Sequence, residues 1–138
     1  MRATVLLTVA VLLVGCRDKV LPGSKIPEVT AEQLAALQAG NTRLAAKLAA
    51  YAAETKKLPD TLEALRTWAK SSNTWDPEDD KAMNDPWGNP VVFSQVPTIG
   101  LTYTIRSAGA DQKIKTTDDL IFDNRDKTTM TFKERNEK

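Results

Sequence analysis

Asp85-Pro86-Trp87-Gly88-Asn89-Pro90-Val91-Val92-Phe93-Ser94 is where the chain changes rhythm. Ahead of this stretch, apolar residues recur at helical spacing; behind it, they alternate at strand spacing. Its first six residues are the densest turn signal in the sequence. The prolines fix φ, Gly88 permits a positive φ, and the Asp85 carboxylate can cap the turn. Val91 to Ser94 then reads as a short strand. Leu101-Thr102-Tyr103-Thr104-Ile105-Arg106 alternates apolar and polar residues, the pattern of a half-buried antiparallel strand. The loop Ala108-Gly109-Ala110-Asp111 and the run Leu120-Ile121-Phe122 follow, with Thr128 to Phe132 as a last strand.

Upstream, Thr30-Ala31-Glu32-Gln33 is a capping-box pattern, and Leu34, Leu37, Leu44, Leu48 and Tyr51 form an apolar stripe widened by Ala36, Ala45 and Ala52. The spacing predicts one helix over 31–57, stopped before Pro59 because a residue preceding proline avoids the α region. Gly40-Asn41 is a place for a kink. Asp60-Thr61-Leu62-Glu63 repeats the capping logic, and Leu62, Leu65, Trp68 and Ala69 make a shorter apolar face, by the simpler account for core packing rather than for a partner. From Ser71 to Asn84 the periodicity breaks, and Trp75-Asp76-Pro77-Glu78-Asp79-Asp80 reads as an exposed acidic loop. A helical half followed by a strand half predicts an α+β fold, a long N-terminal helix packed on a small antiparallel sheet.

Composition narrows the function. The 138 residues carry 19 Lys and Arg against 18 Asp and Glu, with no clustered basic face, so no nucleic-acid partner is expected. With no histidine and one cysteine, serine–histidine and cysteine–histidine catalysis, thiolate zinc sites and internal disulfides are excluded. A carboxylate hydrolase using Asp76, Asp79 or Asp85 stays open on composition, although enzymes place paired acids on rigid elements beside a cleft.

At the N-terminus, Arg2 precedes an apolar run from Val5 to Val14 broken only by Thr8, and Gly15-Cys16-Arg17-Asp18-Lys19 follows. This is the layout of a secretory signal, too short to span a bilayer as a helix. Leu13-Val14-Gly15-Cys16 resembles the lipobox of bacterial lipoproteins. That resemblance implies cleavage before Cys16, a diacylglyceryl group on its sulfur and an acylated amino terminus. It implies residence on a membrane of the bacterial envelope; Arg17 beside the cysteine points to the outer membrane, facing the periplasm. Leu21-Pro22-Gly23-Ser24-Lys25-Ile26-Pro27 reads as an extended tether. The expected organisation is a signal peptide at 1–15, a lipidated N-terminus and tether at 16–29, the α+β domain at 30–132 and a charged tail at 133–138.

The turn at 85–90, the Ser107-Ala108-Gly109-Ala110-Asp111 loop and Thr117-Asp118-Asp119-Leu120-Ile121 together resemble the C-terminal domain of the major pseudopilin of type II secretion. Leu58-Pro59-Asp60-Thr61-Leu62-Glu63-Ala64-Leu65 is similar to the segment after that family's long helix. The resemblance covers residues 30–123. It implies a non-enzymatic structural or interaction component with an envelope protein partner. It also implies calcium, with Asp111 and Asp118 giving carboxylate oxygens, Ala108 a carbonyl, and Asp119 a possible substitute for Asp118. Two features depart from the family. The loop Gln112-Lys113-Ile114-Lys115-Thr116-Thr117 has no glycine and brings two lysines close, which could salt-bridge the aspartates in place of a metal. Cys16-Arg17-Asp18-Lys19 stands where the family keeps a hydrophobic assembly helix.

Overall fold

The computed structural model describes residues 28–97 and 100–131. Cys16 and the signal segment, most of the tether, Phe132 and the charged tail lie outside the described residues. Helix α1 (Ala31–Thr55) begins at the expected capping box: Thr30 Oγ1 accepts the Gln33 N–H, and Gln33 Oε1 accepts the Thr30 N–H. It ends slightly earlier than expected, because Lys56 takes a left-handed conformation with φ 63. No break occurs at Gly40-Asn41, and the helix passes through both residues.

Helix α2 (Leu62–Ser71) is capped by Thr61, and its Leu62, Leu65 and Ala69 face is buried, as core packing requires. The segment expected to be an exposed loop contains a third helix, α3 (Pro77–Ala82). Asp76 caps it, Pro77 occupies the first turn, where its missing N–H costs nothing, and the Asp79 side chain reaches back to the Asp76 N–H.

Strands β1 (Val92–Gln95), β2 (Tyr103–Ser107), β3 (Leu120–Asp123) and β4 (Thr128–Thr131) form one antiparallel sheet in chain order. In β2 the alternation is realised, with Tyr103, Ile105 and Ser107 buried. Leu44 and Leu48 of α1, Leu58 and the apolar face of α2 close over Tyr103, Ile105 and Phe122. Each leucine in this cluster contributes about 2 kcal/mol by leaving water. Burial pushes the Tyr103 hydroxyl up to about 12, so the ring stays neutral in the core. The α+β expectation holds: one long helix on a four-stranded antiparallel sheet.

Candidate functional site

Two acid-rich regions and the turn between them hold the residues singled out in the sequence. The first surrounds α3. Arg43 of α1 donates through Nη2 to both Asp76 carboxylate oxygens at 2.7 Å and through Nε to Asp79 Oδ1 at 3.2 Å. Lys47 lies 3.3 Å from Asp79 Oδ2 and also donates to the Thr74 carbonyl. Asp79 is fully buried, so the solvated-loop reading fails there: two α1 cations organise the carboxylates that the sequence left scattered. Desolvation pushes the Asp76 carboxyl up, but hydrogen bonds from Arg43 and from the Asp79 and Glu78 N–H groups outweigh it, and the net shift is downward. Asp80 is lowered chiefly by the Trp75 indole N–H, against desolvation, with help from Arg66.

The turn at 85–90 is organised by Asp85. Its Oδ1 accepts the N–H groups of Trp87 (3.1 Å) and Asn89 (2.8 Å), and Gly88 has φ 85, as the sequence required. Its Oδ2 accepts the Ser107 hydroxyl at 2.6 Å. Ser107 Oγ in turn accepts the Gly109 N–H, and the Asn89 amide donates to the Gly109 carbonyl. The two sequence motifs are thus one hydrogen-bonded unit. Asp76 and Asp79 share Arg43, and Asp85 holds the turn and Ser107, so each of the three carboxylates is committed to a cap, an ion pair or a turn.

The second acid-rich region is the loop between β2 and β3. Gly109 lies against Asp118: a Cβ there would sit 2.5 Å from Asp118 Oδ2 and 2.6 Å from its carbonyl oxygen. Asp118 Oδ2 accepts the Asp111 N–H, and Asp119, fully buried, accepts the Lys115 and Thr116 N–H groups. At the centre stands the Thr116 hydroxyl, unremarked in the sequence. Its Oγ1 lies 2.7 Å from Asp118 Oδ1, 3.0 Å from Asp119 Oδ1, 3.3 Å from Asp111 Oδ1 and 2.9 Å from the Lys113 carbonyl. One hydroxyl proton faces four acceptors. Ala108, expected to offer a carbonyl, is buried just after β2. Without glycine, the loop nonetheless takes positive φ at Gln112 (62) and Lys115 (71). The neighbouring cation on the aspartates is Arg106, 3.4 Å from Asp119 Oδ2, whereas Lys113 and Lys115 contribute their backbone N–H groups. These hard oxygens suit calcium in kind. As placed, among the described residues, no cluster of three or more acidic, cysteine or histidine side chains is arranged to hold a metal ion.

A family model described as type II secretion system (T2SS), protein G, matches residues 28–122, more than two-thirds of the chain. No curated protein and no solved structure matches.

Proposed function

The chain belongs to the type II secretion protein G family, a structural family of the secretion machinery in the cell envelope, and we propose that it acts there as a lipid-anchored, non-catalytic component. In this reading residues 1–15 are a signal peptide and Cys16 carries the diacylglyceryl and acyl chains. Residues 16–29 are the tether, residues 30–132 present a pseudopilin-type body to an envelope protein partner, and residues 133–138 are a charged tail. The membrane is the outer one, with the body on its periplasmic side.

The observation that carries the proposal is the sealed start of α1. The reciprocal hydrogen bonds at Thr30, whose backbone is extended with ψ 156, end the helix rather than letting it run into an upstream apolar stem. Among the described residues no helix is long and apolar enough to cross a membrane. In this reading attachment lies with the lipobox cysteine, where several acyl chains make it long-lived and one would be marginal. The commitments of Asp76, Asp79 and Asp85 support the non-catalytic part. Radiolabelled palmitate should enter the wild-type chain and not Cys16→Ser, and the label should sediment with outer membranes. An unlabelled, cytosolic chain still beginning at Met1 would overturn the reading.

A second reading, favoured by the crowding of oxygens about Thr116, gives the loop a calcium ion held by Asp111 and Asp118 with the Ala108 carbonyl and Asp119. When bound, the ion would add positive charge among three carboxylates of which Asp119 already has Arg106 beside it. Calorimetric titration should then release heat and raise the melting temperature, and Asp118→Asn should abolish both. No heat and no thermal shift in the wild type would end it.

A further inference from the structure

Between α1 and the sheet runs a groove of about 740 Å³ whose walls include Ala46, Ala49 and Ala53 on the helix and Leu101, Tyr103 and Phe122 on the sheet side. Leu101 is 47% exposed there, an uncovered apolar side chain. We propose that this groove receives one acyl chain of the protein's own lipid, an inference that rests on the lipidation of Cys16 proposed above.

Three observations select a hydrocarbon occupant. First, Thr42, Lys56 and Asn124, three of the polar residues bordering the groove, are already engaged, and Lys127 beside them is exposed. Thr42 donates to the Gln38 carbonyl, and Lys56 to that of Ala53. Asn124 accepts from the Tyr103 N–H and donates to the Leu101 carbonyl. An extended peptide laid here would leave its own amide groups without partners; an alkyl chain has none to satisfy. Second, there is length to spare. From Thr42 to Lys56 the groove follows α1 for about 21 Å, whereas one leaflet of a bilayer's hydrocarbon core is about 15 Å deep. Third, the tether reaches. Cys16 to Glu28 spans up to about 40 Å when extended, and the near end of the groove lies about 18 Å along the helix from Thr30. Alanine on the helix wall leaves room that larger side chains would fill. A chain held this way draws the body down towards the lipid surface.

The test feeds cells a palmitate carrying a diazirine near its methyl end and isolates the full-length protein. Incorporation is read first, with Cys16→Ser as the blank. After irradiation, mass spectrometry should place crosslinks on the α1 peptide around Ala49 and on Leu101 or Phe122. Ala49→Trp, which fills the groove from an exposed helix position, and Leu101→Asp, which charges it, should each reduce those crosslinks at least tenfold with helicity and melting unchanged. Incorporated label that crosslinks only to lipid, to other surfaces or to another protein would overturn the groove while leaving the anchor standing. No incorporation at Cys16 would overturn both.

Discussion

The two acid-rich regions of this molecule solve one problem with different chemistry. Around α3, buried Asp79 meets cations reaching across from α1; in the β2–β3 loop, Asp118 and Asp119 are held mainly by backbone N–H groups and a single hydroxyl, with one guanidinium at the edge. The first arrangement ties two helices together through long side chains that can adjust. The second is a short-range mesh in which backbone and side chain are locked against each other, so small changes should be felt more sharply there.

Gly109→Ala puts that contrast to its hardest test. With φ 69 and a new Cβ driven 2.6 Å from the Asp118 carbonyl oxygen, the loop has to shift as a whole. Backbone strain together with overpacking should cost more than about 3 kcal/mol in denaturant unfolding; a loss below 1 kcal/mol on the same scale of estimate would mean the mesh is soft. In the helical region, Asp79→Asn leaves Arg43 and Lys47 facing an amide. Because both cations are partly exposed and can turn to water, the loss should be about 2 kcal/mol, less than full burial of the pair would give. Thr116→Val removes the hydroxyl on which the three loop carboxylates converge and should cost about 1–2 kcal/mol, with calcium restoring the loss if the ion takes that place. Gly40→Ala should act in the opposite direction. The added methyl meets Ala82 of α3 at 3.5 Å, ordinary contact, so helix propensity dominates and stability should rise by about 0.5–1 kcal/mol.

Acid should weaken the α3 region. The carboxyls of Asp76 and Asp80 sit below the ordinary 3.8, so each binds a proton less readily folded than unfolded. Their contribution is present above pH 3.8 and lost as pH falls through the lowered folded values. Unfolding followed between pH 6 and pH 2 should show a decline that Asp80→Asn makes shallower.

Much of this was legible in the sequence, and the reasons are local. The Thr30 box, the leucine spacing of α1 and the Asp85 turn each depend on residues within a few positions of one another, so their chemistry can be read in order along the chain. Helix α3 was missed because six residues are too few for apolar periodicity, and the residue it buries most completely is a carboxylate. A signal was present: aspartate, then proline, then an acidic side chain three residues after the cap is a helix start even without an apolar run. Arg43 and Lys47, which make that buried charge tolerable, lie more than thirty residues upstream of Asp79, beyond the reach of pattern reading. Thr116 escaped for a related reason. A run of acids advertises oxygen donors for a metal, while the group to which they all turn is a neutral hydroxyl.

At Thr30 the polypeptide leaves the axis of α1 in an extended conformation. A continuous rod would pass torque and bending from a membrane segment straight into the sheet; a chain that exits its helix through a capped turn passes on tension alone. A load on the preceding chain therefore reaches the sheet as a pull on the end of α1 and not as a twist.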